Sequence, residues 1–247
     1  MDCKLLVLTV SLVLAVSALP QDKIVGGQFA EPHQFPYQVA LFYKGRFRCG
    51  GSVIESQWVL TAAHCVVNGD QQIPSSLLEV FVGNSDLNSG KETIEVSKVF
   101  AHESYGNFLN DIALMKVKKA FSFDDTVQKI ALNKEELPEP TPVTISGYGQ
   151  TGTTQPASDQ LKFNTMYVVS EKVCRRETGL DQKGLICFNN EPNNGACNGD
   201  SGGPAVYDGK LVGVANFVMD ACGTSSPDGY AKVAHYVDWI EQTIAKN

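Results

Sequence analysis

The sequence predicts an all-β fold made of short strands, with one helix at the C-terminus. Segments rich in β-branched and aromatic residues recur along the chain, at 37–43, 78–82, 112–117 and 210–214. Gly, Asn, Pro and Ser separate these segments at short intervals, as they do between strands. Many short strands with one terminal helix are typical of β-barrels or of a β-sandwich, and the residue pattern leaves both open.

The helix is predicted from a 3.6-residue apolar period near the end of the chain. The residues that follow this period are Val233, Tyr236, Val237, Ile240 and Ile244. Residues at this spacing share one face of an α-helix. No other segment has a convincing helical period.

The first 18 residues are typical of a secretory signal peptide. Lys4 supplies a positive charge, Leu5 to Val16 form a short apolar run, and small residues precede a cleavage site after Ala18. A buried N-terminal helix is the alternative interpretation. No later apolar run approaches the ~20 residues that a membrane span needs. We therefore expect a secreted, extracellular protein.

The cysteines agree with export. The chain has seven, and Cys3 is lost with the signal peptide. Six remain, namely Cys49, Cys65, Cys174, Cys187, Cys197 and Cys222. An even set in an exported chain predicts disulfides, although six cysteines allow about 15 connectivities and the sequence alone does not select one.

The composition excludes some classes of function. Hydrophobic residues make up 43% of the chain and charged residues 19%, which is typical of a globular protein rather than a disordered one. The formal net charge is −7, and no stretch is dense in Lys and Arg. We therefore expect neither a nucleic-acid partner nor binding to an anionic membrane.

Two segments bear on the organisation of the chain. Leu137-Pro-Glu-Pro-Thr-Pro142 is the best candidate for a connection between two halves, because three prolines do not fit a central strand. We place the junction at about residues 133–142 of a domain that spans 24–247. Gly147-Tyr-Gly-Gln-Thr-Gly152 matches a dinucleotide-binding pattern, but no helical period begins there, so we interpret it as a strand end and a turn.

Three short strings carry groups that nucleophilic catalysis needs. A hydroxyl is a weak nucleophile at neutral pH, so it needs a neighbouring base, and the base needs a third group to orient it. The strings are Trp58-Val-Leu-Thr-Ala-Ala-His64-Cys65, Asn110-Asp111-Ile-Ala-Leu114 and Gly199-Asp200-Ser201-Gly202-Gly203-Pro204. Each alone has a structural interpretation, as a packed histidine, a turn or a surface loop. Together, and in this order, they are highly specific.

The three strings resemble those of the chymotrypsin-like serine proteases. Further matches run from Ile24-Val-Gly-Gly27 through Cys49-Gly-Gly-Ser52 to Tyr236-Val-Asp-Trp-Ile240, and so cover nearly all of the chain after residue 23. The resemblance implies a trypsin-like fold of two six-stranded antiparallel β-barrels with a C-terminal α-helix and an active site between the barrels. It also implies disulfides Cys49–Cys65, Cys174–Cys187 and Cys197–Cys222. The first closes a loop of about 15 residues, worth roughly 3 kcal/mol in a chain-entropy model.

The resemblance assigns the catalytic roles residue by residue. It implies that Ser201 attacks the peptide carbonyl, that His64 transfers its proton and that Asp111 orients His64. The backbone N–H groups of Gly199 and Ser201 would face the developing oxyanion, and each such donor is worth about 3–4 kcal/mol. Asn84 stands where calcium-binding relatives have a carboxylate, so we expect no metal and no cofactor.

The resemblance also implies activation by proteolysis. Residues 19–23 would form an activation peptide, and cleavage after Lys23 would free the α-amino group of Ile24. In the family this amine inserts beside the catalytic serine and pairs with the residue that corresponds to Asp200. Because an unpaired buried carboxylate is costly, we expect Asp200 to stay solvated before cleavage and the specificity pocket to be poorly formed.

The implied substrate-binding residues are Gly195, Asn216, Val218 and Asp228. Gly195 stands where ordinary trypsins have an Asp, and Asp228 places a carboxylate at a second floor position. This pair resembles that of the brachyurins, or crab collagenases, which accept apolar and basic residues. Phe217-Val218 resembles pancreatic elastases. We expect cleavage after medium apolar residues, with secondary cleavage after Arg or Lys, unless Asp228 is a turn residue that points to solvent.

Asn216 replaces a serine that usually supports the triad aspartate in the family. The amide of Asn216 could support Asp111 in the same way.

Two other classes of function are considered. One is a catalytically weak or inactive homologue that acts as a secreted binding protein, but such homologues usually lack a triad member and this chain keeps all three. The other is a small-ligand carrier on a β-barrel, which leaves the Asp200-Ser201 string unexplained. As an endopeptidase, the chain is expected to be a monomer that cleaves proteins or peptides, needs an activating trypsin-like protease and is open to protein inhibitors.

Overall fold

A computed structural model describes residues 24–89, 93–106, 108–180, 183–189 and 191–247. The predicted signal peptide at 1–18 and the predicted activation peptide at 19–23, with Lys23, lie outside the described residues. No helix in these described ranges is long and apolar enough to cross a membrane.

Short strands dominate the described part of the chain. In chain order, its strands and α-helices are β1 (Gln28–Phe29), β2 (Gln38–Tyr43), β3 (Arg46–Glu55), β4 (Trp58–Thr61), α1 (Ala63–Val66), β5 (Val67–Asn68), β6 (Gln71–Gln72), β7 (Leu78–Phe81), β8 (Ile94–Ala101), β9 (Ala113–Val117), β10 (Ala131–Leu132), β11 (Pro142–Gly147), β12 (Lys162–Val168), α2 (Glu171–Thr178), β13 (Leu185–Asn189), β14 (Pro204–Tyr207), β15 (Lys210–Phe217), β16 (Asp228–Lys232) and α3 (Val233–Lys246).

Six antiparallel strands close the first barrel, in the order β2-β3-β4-β9-β8-β7. One buried hydrophobic cluster contains a residue from every strand of this barrel, including Leu41, Val53, Leu60, Val80, Val96 and Leu114. Closure of the barrel leaves no strand edge unpaired. Burial of the cluster removes apolar surface from water, which is the main contribution to the stability of the fold.

The second barrel closes through the order β12-β11-β14-β15-β16-β13, because β12 also pairs with β13. A separate buried cluster contains a residue from each of these strands, including Ile145, Met166, Phe188, Ala205, Val212 and Tyr230. The short strands β1 and β10 add to this sheet from outside, and β10 pairs with β15 in parallel. The expected fold of two six-stranded antiparallel barrels is therefore confirmed.

Helix α3 confirms the predicted C-terminal helix. Its apolar face buries Val233, Tyr236, Val237 and Ile240, which belong to the same cluster as the first barrel. The same cluster contains Leu211 and Val214 of β15, and the Tyr236 ring packs edge to face on His102. Helix α3 therefore contacts both the second barrel and the first half of the chain.

Helix α2 was not expected. Only Val173 and Cys174 are apolar among its eight residues, so no apolar period marks it. Its signals are local instead: the Ser170 hydroxyl accepts a hydrogen bond from the Val173 N–H at the N-terminus, and Gly179 adopts a left-handed conformation at the C-terminus.

The four predicted strands agree with β2, β7, β9 and β15 to within a few residues at their ends. Strand β11 ends at Gly147, and turns rather than a helix follow, as expected for the rejected dinucleotide-binding pattern. Residues 133–141 contain no strand and connect β10 with β11. A buried hydrogen bond joins the two barrels close to the site, where the Ser146 hydroxyl donates to Gln38 Oε1 over 2.7 Å.

Candidate active site

A cavity of about 390 Å³ lies between the barrels. His64 and Asp111 reach it from the first barrel, and Ser201, Asn216 and Val218 reach it from the second. The sequence-predicted triad is therefore brought to one cavity by residues that lie far apart in the chain.

His64 and Asp111 form the most closely bonded pair in this cavity. Strand pairing between β4 and β9 brings the segments that carry them side by side. Asp111 accepts twice from His64: Oδ1 from the backbone N–H over 2.8 Å, and Oδ2 from ring Nδ1 over 2.6 Å. A carboxylate can only accept, so Nδ1 carries the proton and Nε2 of the neutral ring keeps its lone pair. Asp111 is 2% exposed and His64 32% exposed, so water reaches the ring but hardly reaches the carboxylate.

The C-terminal helix holds the loop that carries Asp111. Asn110, with φ +51°, donates from its amide to the Ser104 carbonyl over 3.0 Å. The Tyr236 hydroxyl of α3 donates to Asn110 Oδ1 over 3.1 Å. These two bonds stabilise a left-handed conformation that asparagine tolerates better than most residues. The position of Asp111 therefore depends on the docking of α3.

Ser201 lies on a turn that is pressed against both barrels. Its carbonyl accepts from Gly50 N–H of β3 over 2.8 Å, and Gly202 N–H donates to the Ala215 carbonyl of β15 over 2.7 Å. A Cβ on Gly202 would lie 2.6 Å from the Gly50 carbonyl oxygen, at a φ of +76°. Only glycine fits this approach. The turn that carries the proposed nucleophile is thus fixed by backbone contacts to both barrels.

Gly199 precedes this turn at a position that also favours glycine. Its φ is +99°, and a Cβ there would lie 3.0 Å from Cα of Gly149. The backbone of Gly199 is partly exposed, whereas Asp200 beside it is buried.

Asp200 is 4% exposed in this structure. Its expected exposure before cleavage after Lys23 stays a prediction, because Lys23 lies outside the described residues. Two backbone N–H groups compensate part of the cost: Gly149 donates to Oδ1 over 2.8 Å and Cys197 donates to Oδ2 over 2.9 Å. Burial nevertheless raises the pKa of the Asp200 carboxyl to about 6, against the opposing effect of these bonds. Burial therefore disfavours the charged form of the Asp200 carboxyl, and the two backbone N–H groups offset only part of this effect.

Ile24 is buried in the hydrophobic cluster of the second barrel. Val25, the next residue, is held through its carbonyl, which accepts from Gly195 N–H over 3.1 Å and from the Asn164 amide over 3.2 Å. The segment that begins at Ile24 is thus packed into the same barrel that buries Asp200.

Asp228 points inward, which excludes the alternative of a turn residue that faces solvent. Its Oδ2 accepts from Ala196 N–H over 2.9 Å, and a Cβ on Gly195 would lie 3.0 Å from the same oxygen. Burial, with a smaller contribution from Asp200, raises the pKa of the Asp228 carboxyl to about 7. Gly195 and Asp228 do not themselves line the cavity, but their neighbours Ala196 and Gly229 do.

Asn216 does not use its amide to support Asp111. Nδ2 donates to the Phe108 carbonyl over 3.0 Å, and Oδ1 is buried without a hydrogen-bond partner among the described residues. The side chain of asparagine is longer than that of the serine usual at this position, so its amide extends to the loop that precedes Asp111. Asn216 thereby joins the second barrel to a loop of the first.

Aromatic residues line the cavity, and two that sequence analysis missed are Phe108 and Tyr105. Phe108 and Phe217 both line it and pack edge to face, with ring centroids 5.5 Å apart. Tyr105 lines it as well. No local pattern singles out Phe108 or Tyr105, because folding alone brings them to the cavity that second-barrel residues also line.

Three disulfides join Cys49 to Cys65, Cys174 to Cys187 and Cys197 to Cys222, the pairs that the resemblance implied. Within the described ranges, the only cluster with metal-ligand spacing is Cys49, His64 and Cys65. Its two sulfur atoms are bonded to each other and offer no thiolate, so this cluster is not a metal site.

Comparisons with known proteins agree with this geometry. A family model described as Trypsin matches residues 24–240. The chain is 47% identical over 224 residues to serine protease SP24D of Anopheles gambiae, covering 91% of this chain and 82% of that protein. It is 34% identical to cationic trypsin-3 of Rattus norvegicus, covering 94% and 96%. Among solved structures, neuropsin, a serine protease expressed in the limbic system of mouse brain, matches with a TM-score of 0.80 and 30% identity over 88% of this chain and 98% of that one.

The buried Asp228 predicts a specific dependence of stability on pH. Its folded pKa of about 7 lies above the ordinary value of 3.8, so the folded state holds this proton more tightly than the unfolded state. The contribution of this carboxyl to the free energy of unfolding is therefore fully present below pH 3.8 and is lost as the pH rises to about 7. The test compares Ser201→Ala with the double variant Ser201→Ala/Asp228→Asn by urea denaturation at pH 5 and pH 7. Between these pH values, the free energy of unfolding of the double variant should fall by about 2 kcal/mol less than that of Ser201→Ala. Asp159→Asn, at an exposed carboxyl, is the matched control; an equal change in both variants would contradict the assignment.

Proposed function

Because the chain belongs to the trypsin family and is a serine endopeptidase, we propose that it is a secreted zymogen in which Ser201, His64 and Asp111 form the catalytic triad. The observation that carries this proposal is the pair of hydrogen bonds from His64 to the buried Asp111, on the wall of a cavity that Ser201 also lines. This arrangement supplies a nucleophile, a base and an orienting carboxylate in one place.

In the proposed reaction, Ser201 Oγ attacks the peptide carbonyl while His64 Nε2 takes the hydroxyl proton. The N–H groups of Gly199 and Ser201 stabilise the negative charge that develops on the carbonyl oxygen. The tetrahedral intermediate then collapses, the C–N bond breaks and His64 returns the proton to the leaving amine. Water, deprotonated by His64, hydrolyses the acyl-enzyme and regenerates Ser201. Asp111 keeps the ring in one tautomer and stabilises its cationic form throughout.

Activation is proposed to follow removal of a signal peptide at 1–18 and of an activation peptide at 19–23. A trypsin-like protease would cut after Lys23, and the new α-amino group of Ile24 would pair with Asp200. The burial of both residues in the second barrel supports this step. A cationic amine beside Asp200 would offset the burial that raises this pKa, and would keep the carboxylate charged.

The pocket is proposed to accept medium apolar side chains first and basic side chains second, in the manner of brachyurins and elastases. Val218 on the cavity wall narrows the entrance for large flat rings. Asp228 beneath it is buried and inward-facing, so it can pair with a basic side chain only when it is ionised. The proposed partners are protein or peptide substrates, an activating protease and protein inhibitors, met by a monomer.

The triad is tested by single and double substitution. Ser201→Ala and His64→Ala should each lower kcat by several orders of magnitude in the activated enzyme, and the double variant should be little worse, because the two groups act as a unit. Peptide hydrolysis and labelling by a fluorophosphonate measure the effect. Ser122→Ala, at an exposed serine, should leave both readouts unchanged. Retention of more than about a tenth of wild-type activity by Ser201→Ala would point instead to a different nucleophile.

Activation is tested at Lys23. Lys23→Gln should resist activation by trypsin, since a glutamine amide lacks the charge that trypsin recognises, while the exposed control Lys44→Gln should activate normally. N-terminal mass spectrometry and a peptide assay report cleavage and activity together. Full activity of a chain whose Lys23–Ile24 bond is intact would show that this cleavage is not needed.

Pocket specificity is tested through Asp228 and pH. A carboxyl is charged above its pKa, so the ratio of cleavage after Arg to cleavage after Leu should rise between pH 6 and 8, around the pKa of about 7. Asp228→Ala should lower cleavage after Arg by about ten-fold and spare Leu. Val218→Gly is the control at the rim: it should admit Phe and Tyr without removing the pH dependence. A peptide-library profile confined to Arg and Lys would be incompatible with this pocket.

A further inference from the structure

The carbonyl groups at the C-terminal end of α1 need hydrogen-bond donors. This helix is one turn long, spans Ala63–Val66 and leads directly into the extended residue Val67. The last carbonyl groups of a helix have no N–H partner within it and must find donors elsewhere. Two of these carbonyls belong to His64 and Cys65, so the donors that reach them also act on the backbone of the proposed catalytic base.

Arg48 supplies these donors from β3. Its Nε donates to the Cys65 carbonyl over 2.7 Å, and its Nη2 donates to the His64 carbonyl over 3.2 Å. Nη2 also donates to Asn68 Oδ1 over 3.1 Å, just beyond the helix. The planar guanidinium presents donors in a fixed fork, which suits two successive carbonyls, and a cation at a helix C-terminus is electrostatically favourable.

The guanidinium is itself held in place. Its Cζ lies 5.5 Å from the centre of the Tyr43 ring, and the side chain is half-buried. Arg48 also precedes Cys49, which is bonded to Cys65. The same short stretch of β3 therefore reaches α1 through a covalent link and through hydrogen bonds.

His64 is consequently hydrogen-bonded at both its backbone N–H and its backbone carbonyl. Asp111 accepts from its N–H and from its ring, while Arg48 donates to its carbonyl. Asp111 therefore binds the N–H end of His64 and its ring, whereas Arg48 binds the carbonyl end. The two side chains restrain the α1 backbone at different points.

We propose that Arg48 is a positioning residue for catalysis, which holds the α1 backbone so that the His64 ring stays within reach of both Asp111 and Ser201. This inference rests on the proposed function. Arg48 does not line the cavity between the barrels, so it acts through His64 and not through the substrate. A small displacement of a catalytic group can cost up to about 100-fold in rate.

The test compares Arg48→Ala, Arg48→Lys and Arg46→Ala in the full chain after activation. Arg48→Ala should lower kcat by about 10- to 100-fold and leave KM within about two-fold, because substrate contacts are intact. Arg48→Lys should recover part of kcat, and added guanidinium chloride at low millimolar concentration should raise the kcat of Arg48→Ala but not that of Arg48→Lys. Arg46, an exposed cation on the same strand, is the matched control and should have wild-type kinetics.

Other outcomes would overturn the proposal. These are a kcat within about two-fold of wild type for Arg48→Ala, an equal loss in Arg46→Ala, or a raised KM with unchanged kcat, which would mean that Arg48 binds substrate. If Arg48→Ala does not fold, Asn68→Ala removes one acceptor of Nη2 and should lower kcat by a smaller factor with KM unchanged; wild-type kcat in that variant counts against the proposal. His64→Ala distinguishes failure of the Arg48 proposal from failure of the proposed function. Full activity of His64→Ala would refute the proposed function itself.

Discussion

The close approach of the Ser201 turn to both barrels is the constraint on which the site depends. Gly50 N–H of β3 binds the Ser201 carbonyl, and Gly202 N–H binds the Ala215 carbonyl of β15. A single methyl group on Gly202 would collide with the Gly50 carbonyl. These backbone contacts place Ser201 of the second barrel at the cavity that His64 of the first barrel also lines. One buried cluster extends from the first barrel to Leu211 and Val214 of β15, and the cavity lies where the two barrels are joined.

Three buried carboxylates surround this junction, and each is accommodated differently. Asp111 accepts from His64, Asp200 accepts from two backbone N–H groups and Asp228 from one. For Asp200 and Asp228 these bonds do not offset burial, which raises their pKa values to about 6 and about 7. A cation beside either carboxyl would lower its pKa again and favour the charged form. In the proposed function, that cation is the α-amine of Ile24 for Asp200 and a basic substrate side chain for Asp228.

Contacts between the barrels also shape the cavity beyond the triad. Asn216 binds the Phe108 carbonyl, and Phe108 packs against Phe217. Tyr236 of the last helix binds Asn110, next to Asp111. Residues from the end of the chain therefore stabilise loops in its first half. Such contacts make the loops of the site part of the packed structure and reduce the ordering that substrate binding would otherwise require.

The sequence by itself predicted the all-β class, the C-terminal helix and the three strings that carry His64, Asp111 and Ser201. Segments rich in β-branched residues, a helical period and short motifs are all recorded in neighbouring residues. The number of barrels and the cysteine pairs came from the family resemblance rather than from any pattern. Only the tertiary structure decided that Asp200 is buried, that Asp228 points inward, that Asn216 turns to Phe108 and that Arg48 holds the end of α1. Each of these depends on a partner that folding brings near, and the Asn216 partner is 108 residues away. A local pattern cannot encode the partner, because the packing of the two barrels selects it.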